Sequence, residues 1–334
     1  MANRLHTNLL NQIVSNYSRR SEAVNALSEI LRITPDAIYR RLRGESLLNA
    51  EEVERLAVHY GVSLDALMET NSRHVTFDFL PGNGDQQIIS VEHFMQSIHA
   101  VLLDMKHCTQ VKFYSISANM HLFYYLLAPR LFKFKLFVWG NTIWNIPGLR
   151  MEKYSEQIFP AFIDGLIQRI RQDFLAYHTV ELWSMSMVDD TLNQLAYFTY
   201  SGRFESPDIV QSLYDELTEL IRLLQHFASH GHKYNRMEVP LGPFELYHNE
   251  VIHASQTFYA SSIERELVIM PFATPSFVVT QNQQTCDHIK LWFDRIIRKS
   301  SPISTTNEKN RNFFFNQILQ NINFSRQRLE HLLE

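Results

Sequence analysis

Residues 23–68 read AVNALSEILRITPDAIYRRLRGESLLNAEEVERLAVHYGVSLDALM, and this stretch decides the fold of the amino-terminal part of the chain. Thr34, Pro35 and Asp36 follow one another within its first third. A hydroxyl residue suits the position before a helix, proline suits the first helical position, and an acid is favoured in the first turn. The pattern therefore predicts a short helix that begins at Pro35 and ends near Gly44.

Helical signals continue on both sides of this segment. Asn49 precedes Glu52 by three residues, which is the spacing of a capping box that starts another helix. Gly61 suits the left-handed end of that helix. Upstream, apolar residues recur at every fourth position, as on one face of a helix: Leu5, Leu9, Ile13 and Tyr17. We therefore predict that residues 1–70 form an all-α domain of short helices.

The helix predicted at 35–43 has an apolar side and a polar side. Ile38 and Leu42 are four residues apart and should face the core. At about 100° per residue, the opposite side then displays Asp36, Tyr39, Arg40 and Arg43. Because arginine makes bidentate contacts to guanine and charge-assisted hydrogen bonds to phosphate, this side is predicted to bind DNA. Arg41 points toward the flank, where a neighbouring carboxylate can pair with it.

Charge is distributed unevenly along the amino-terminal region. Residues 19–43 carry six Arg against three acids, a net +3, whereas residues 45–69 carry one Arg against six acids, a net −5. The whole chain has a net charge of −4, so affinity for a polyanion has to come from the local basic patch. A helical protein-interaction domain with solvated arginines is the alternative interpretation of the same pattern.

This region resembles the phage-repressor (Cro and lambda repressor-like) family of helix-turn-helix transcription regulators. The resemblance covers about 46 of the 334 residues and includes Leu31 and Ile33 flanking the turn, the Arg-Gly-Glu at 43–45, and the closing LAVHYGVSLDAL stretch. The sequence departs from the family at Arg32, where glycine is frequent, and at Ser28, where alanine is usual.

The resemblance implies a particular docking on double-stranded DNA. The helix at 35–43 would lie in the major groove, with Thr34 and Ser46 at its borders placed for phosphates. It also implies a homodimer on paired half-sites, about one turn of DNA apart, and a bacterial or phage-type regulator. The predicted DNA-binding residues are Thr34, Asp36, Tyr39, Arg40, Arg43 and Ser46.

The rest of the chain predicts a larger second domain. Residues 71–90 contain Pro81, Gly82, Asn83 and Gly84 and are predicted to be a linker, although 75–79 also suits a strand. Residues 91–334 mix long helical patterns at 155–176 and 207–228 with short runs of strand formers. The predicted strands are 111–117, 180–183, 244–247, 257–259, 267–270 and 277–280. The predicted fold class is therefore multidomain, with an all-α helix-turn-helix domain and a helix-rich mixed α/β domain.

Composition excludes several classes of function. Glycine occurs only 10 times, and no dinucleotide fingerprint or Walker loop can be written in the chain. Cys108 and Cys286 are the only cysteines, so neither a disulfide framework nor a Cys-based zinc finger is expected. The most apolar region, 122–138, contains Pro, Arg and Lys, so it is not expected to span a membrane. The amino-terminal residues lack the apolar stretch of a signal peptide. A cytoplasmic protein without a membrane partner is predicted.

No catalytic residue, cofactor or metal is predicted. The best metal candidates are His226, His230 and His232, but no carboxylate completes the set, and histidines also suit a helix carboxyl end before Gly231. Asp189 and Asp190 are predicted to be a helix cap and first-turn charges. The 23 Phe, 14 Tyr and 4 Trp predict an aromatic core, with a pocket for a small-molecule effector as the alternative.

The sequence therefore predicts a DNA-binding transcriptional regulator whose carboxyl-terminal domain senses a ligand or oligomerises. The alternative from a different class is an enzyme or metalloprotein with an attached helical docking module.

Overall fold

The computed structural model describes residues 4–64, 67, 75–80, 88–144, 146–150, 153–235, 237–249, 256–273 and 275–330. The described chain is a mixed α/β protein with twelve α-helices and nine strands. It divides into two compact units, Met1–Thr76 and Phe77–Glu334.

The smaller unit consists of short helices around one apolar core. Its helices are α1 (Arg4–Ser15), α2 (Arg20–Leu31), α3 (Pro35–Leu42) and α4 (Ala50–Tyr60). The core side chains are Leu9, Leu10, Ile13, Val24, Leu27, Leu31, Ile38 and Leu56. Ile38 is the one fully buried side chain that α3 contributes among them. Tyr39 and Leu42 are partly buried and pack against the same core, and contacts at the ends and flank of α3 complete its attachment.

The predicted helix signals are confirmed in this unit. Thr34 is the N-cap of α3, with Pro35 at the first helical position and Asp36 in the first turn. Asn49 and Glu52 form both bonds of a capping box at the start of α4. Local sequence therefore sets where these helices begin, because each cap satisfies backbone N–H groups that lack an intrahelical partner.

The larger unit is built on one mixed sheet. In space its main strands follow the order β1, β8, β7, β6, β2, β3, β5 and β4, and β9 also pairs with β5. The pairs β2–β3 and β3–β5 are parallel, and the other pairs are antiparallel. The strands are β1 (Asp78–Leu80), β2 (Lys112–Ser117), β3 (His178–Trp183), β4 (His232–Tyr234), β5 (Pro240–His248), β6 (Thr257–Ser261), β7 (Glu266–Ala273), β8 (Ser276–Thr280) and β9 (Ser301–Pro302).

Helices cover both faces of this sheet. The helices are α5 (Val91–Met105), α6 (Leu122–Tyr125), α7 (Pro129–Thr142), α8 (Phe162–Ala176), α9 (Asp189–Tyr200), α10 (Pro207–His230), α11 (Gln283–Ile297) and α12 (Glu308–Glu330). The main core contains residues of all of these helices except α11. On the other face, α11 buries Cys286, Phe293 and Ile296 against apolar residues of the sheet. None of the helices in the described part of the chain is long and apolar enough to cross a membrane.

Part of the segment predicted as a linker belongs to the sheet. Residues Asp78–Leu80 pair with β8 in antiparallel register, so the strand alternative at 75–79 is the one observed there. Residues 71–74 and 81–87 lie outside the described residues. A strand forms because β8 offers an unpaired edge, a tertiary partner that turn-forming composition cannot reveal.

A buried carboxylate lies at the centre of the sheet. Glu181 on β3 is 2% exposed and accepts hydrogen bonds from Ser115, from the Tyr124 hydroxyl at 2.8 Å and from Trp183 Nε1 at 3.3 Å. His121 Nε2 lies 3.4 Å from it. Burial alone would raise the pKa of Glu181, but His121 and the hydroxyl donors hold the pKa below its usual range.

We predict that Glu181→Gln lowers the free energy of unfolding of the larger unit by about 3 kcal/mol, because an amide NH2 would face donors that need an acceptor. Urea denaturation followed by tryptophan fluorescence measures this, since all four tryptophans lie in that unit. Glu245→Gln is the matched control on β5, where the half-buried Glu245 pairs with His178 at 2.7 Å. The control should lose about 1 kcal/mol or less, and equal losses would contradict the prediction.

Candidate functional site

Three of the predicted DNA-contacting side chains, two on α3 and one at its C-cap Arg43, face solvent. Asp36, Arg40 and Arg43 are exposed, and 62% of the Arg40 side chain and 53% of the Arg43 side chain remain accessible. Tyr39 differs from the prediction, because it is half-buried and packs against the core of the small unit. Position 39 is only about 100° from Ile38, so its large ring reaches the apolar side.

The residues predicted to border the groove lie at the two ends of α3. Thr34 is exposed, and its hydroxyl oxygen accepts a hydrogen bond from the Ala37 N–H at 3.4 Å. Its own O–H is still able to donate to a phosphate oxygen. Ser46 is half-buried and follows the turn that ends α3, where Gly44 has a left-handed φ of 75°.

Glu45 pairs with both exposed arginines of α3. Its carboxylate lies 2.5 Å and 3.0 Å from Nε and a terminal nitrogen of Arg43, and 3.9 Å from Nε of Arg40. The hydrogen bond to Glu45 raises the pKa of Arg43, and the same bond lowers the pKa of Glu45. Exposed ion pairs are weak in water. A phosphate can therefore displace Glu45, but the carboxylate competes with any anion that approaches.

Arg41 does not belong to the exposed set, as its predicted flank position indicated. Its guanidinium donates to Glu52 at 2.6 Å and 3.3 Å, and both side chains are less than one fifth exposed. Glu52 also accepts from the Asn49 backbone N–H at 2.9 Å, within the capping box. A single carboxylate thereby connects the flank of α3 to the first turn of α4.

His6 holds α3 from the side of α1, a contact that sequence reasoning missed. The Leu48 N–H donates to His6 Nδ1 at 3.1 Å, so Nε2 carries the ring hydrogen and donates to the Arg41 carbonyl at 2.8 Å. The buried stripe of α1 is His6, Leu9, Leu10 and Ile13. The predicted stripe begins at Leu5 instead of His6, because a pattern of apolar residues does not include histidine.

The turn between α2 and α3 accommodates both departures from the phage-repressor pattern. Arg32 has a left-handed backbone (φ 56°, ψ 44°), and its N–H donates to the Ser28 carbonyl. The Ser28 hydroxyl donates to the carbonyl of Ile33. The backbone at Arg32 is therefore the one that glycine adopts without strain, and Ser28 contributes a hydrogen bond that alanine lacks.

The basic patch extends beyond α3. Arg19, Arg20 and Arg32 are exposed, and none has a carboxylate within ion-pair distance among the residues that the structure describes. Three acids of the 45–54 stretch are instead paired with arginines. Asp65 and Glu69, which contributed to the predicted acidic side, lie outside the described residues.

The histidine candidates in the larger unit do not form a metal site. The rings of His226 and His230 lie 4.3 Å apart, but His230 Nδ1 is within hydrogen-bond distance of the His226 carbonyl, and His232 Nδ1 approaches the His230 carbonyl. Across the described ranges, no group of three or more His, Cys, Asp or Glu could hold a metal ion. Gly231 caps α10 in a left-handed conformation, so these histidines lie at a helix carboxyl end.

Comparisons with protein-family models, with curated proteins and with solved structures each found no match to this chain. The functional proposal therefore rests on the side-chain contacts described above.

We predict that Arg32→Gly raises the free energy of unfolding of the small unit by about 1 kcal/mol, because glycine adopts a left-handed backbone without a Cβ clash. Hydrogen exchange of the α2 and α3 amides in the full chain measures the change. Arg32→Ala is the control, since it removes the same charge but keeps a Cβ and should bring no gain. Equal protection in the two variants would contradict the prediction.

Proposed function

We propose that the chain is a sequence-specific DNA-binding transcriptional regulator, in which α3 enters the major groove and the larger unit senses a small molecule or oligomerises. The observation that carries the proposal is a short helix that displays Arg40 and Arg43 to solvent. Neither arginine belongs to the apolar core of the small unit, and His6 and the Arg41–Glu52 pair hold the helix at its flank.

The dimensions of α3 suit a groove. Eight residues at 1.5 Å per residue give a helix about 12 Å long, comparable with the width of the B-DNA major groove. In this proposal Arg40 and Arg43 contact guanine edges or phosphates, and Asp36 accepts from a cytosine amino group. Thr34 and Ser46 contact phosphates at the borders, and Tyr39, half-buried, keeps only its outer edge for the DNA.

Glu45 has a defined part in this proposal. Its carboxylate occupies the arginines while DNA is absent, and a base or phosphate has to replace it. The loss of the Glu45 contacts weakens non-specific binding more than specific binding. Only a matched DNA site replaces these contacts with bidentate hydrogen bonds to the arginines.

The resemblance to phage repressors supports a homodimer on two half-sites about one helical turn apart and a bacterial or phage-type origin. The low cysteine count supports a cytoplasmic location, and the lack of a recognised catalytic motif supports a non-enzymatic role. A selection from randomised duplexes tests the main point, since it should yield a sequence with two related half-sites. Recovery of no preferred sequence would contradict the proposal.

We predict that Arg40→Ala and Arg43→Ala each weaken binding to the selected duplex at least about tenfold and leave the fold intact, because each removes a potential bidentate donor. Fluorescence anisotropy at fixed salt measures the affinity, and far-ultraviolet circular dichroism checks the fold. Arg55→Ala is the matched control, since Arg55 is an exposed arginine on α4 that pairs with Glu51 at 2.6 Å. Unchanged binding by both α3 variants would refute the assignment.

We predict that Glu45→Gln tightens binding to non-specific duplex about threefold or more, because the competing anion is lost. The logarithm of the affinity should also fall more steeply with the logarithm of the salt concentration. Glu54→Gln, an exposed change on α4, should leave both quantities nearly unchanged. If the two variants behave alike, Glu45 does not control access to the arginines.

A further inference from the structure

A cavity of about 300 Å³ opens in the larger unit where β2 ends. This volume corresponds to about ten water molecules, enough for a small organic molecule. The cavity lies at the carboxyl end of a parallel strand, the edge at which sheets of this kind bind ligands. Its walls include the apolar side chains of Met120, Leu122, Trp139 and Phe277 and the polar side chains of Asn119, Lys135, Asp190 and Gln194.

Lys135 brings a buried amine to this cavity. The residue is 3% exposed, and its Nζ donates to Gln194 Oε1 at 2.7 Å and lies 4.9 Å from the centre of the Tyr125 ring. An ammonium group has three hydrogens to donate. Within the described chain, Lys135 has one hydrogen-bond acceptor and no carboxylate within 4.0 Å.

The other two buried lysines of the unit are satisfied in different ways. Lys133, on the same helix, pairs with the Asp164 carboxylate at 2.7 Å. Lys233 donates to the Tyr177 and Pro243 carbonyls and to the Thr179 hydroxyl, which uses all three hydrogens. A buried charge without such partners is costly. Lys135 therefore differs from Lys133 and Lys233, because it lines a cavity and its ammonium group has hydrogens that no described acceptor binds.

Burial affects the pKa of both Lys135 and Lys233, since the pKa of Lys233 is also lowered to about 7, so the hydrogen-bond partners and the cavity distinguish the two lysines. Burial lowers the pKa of Lys135 to about 7, against the opposing effect of Asp190. A bound anion would favour the charged amine, so ligand binding and protonation would support each other.

We propose that this cavity binds a small organic monocarboxylate with an apolar body, whose carboxylate accepts hydrogen bonds from the Lys135 ammonium group. The apolar body lies against Leu122, Trp139 and Phe277. The Asp190 carboxylate, held by Asn119 Nδ2 at 2.5 Å, adds a negative charge to the wall. This second charge disfavours phosphates and polycarboxylates, which selects a single negative charge.

Binding would connect two helices of the unit. Lys135 lies on α7, whereas Asp190 and Gln194 lie in the first two turns of α9. A ligand held between them stabilises one relative position of these helices. That this ligand regulates DNA binding rests on the proposed function, but the site itself does not.

The test uses the full chain and 3-phenylpropanoate as the probe, with 3-phenylpropanamide as its neutral isostere and inorganic phosphate as a compact anion. Isothermal titration calorimetry should show saturable binding of the carboxylate, with at least about tenfold weaker binding of the amide. Lys135→Met should weaken carboxylate binding at least about tenfold. Lys133→Met, a change on the same helix at a residue that does not line the cavity, should leave it unchanged.

Three results would overturn the proposal: equal affinity for the carboxylate and the amide, no saturable binding of the carboxylate up to about 10 mM, or stronger binding of phosphate than of the carboxylate. These comparisons use the unaltered protein, so they hold even if Lys135→Met fails to fold. DNA affinity is measured separately and without any carboxylate, so a failure of the proposed function and a failure of this site are distinguishable.

Discussion

The placement of α3 against α4 depends on the ion pair between Arg41 and Glu52, whose side chains are 16% and 13% exposed. An eight-residue helix is too short to be stable alone, and α3 places only Ile38 fully in the core. Glu52 already serves the capping box of α4, so its bond to Arg41 connects one helix start to the flank of another. His6 supplies the third attachment, to the carbonyl of Arg41.

This arrangement divides the arginines of α3 between two tasks. Arg41 turns inward and holds the helix, whereas Arg40 and Arg43 turn outward and, among the residues that the structure describes, pair with Glu45 in solvent. A partly buried pair resists exchange because its partners are shielded from water, while an exposed pair exchanges readily. The outward arginines therefore remain available to an anionic partner without loss of the fold.

In the larger unit, too, the buried charged groups differ in how many partners surround them. Glu181 is surrounded by donors and Lys233 by acceptors, so the fold itself supplies the partners of both groups. Within the described chain, Lys135 has one hydrogen-bond acceptor, Gln194, and the Tyr125 ring at 4.9 Å, and it lines a cavity. The difference between a structural charge and a binding charge is therefore the number of partners that the fold itself provides.

The sequence by itself determined where α3 and α4 begin, where α4 ends, and that Asp36 and Arg40 face solvent, because caps and helical periodicity act over a few residues. Thr34, Asn49 and Gly61 lie at the helix ends that their residue types predict, and the inward pairing of Arg41 follows from its angle on the helix. Only the tertiary structure decided that Tyr39 packs inward, that His6 reaches Arg41, that 78–80 pairs with β8, and that Lys135 faces a cavity. These features join residues far apart in the chain, and their partners are chosen by packing, which no local pattern encodes.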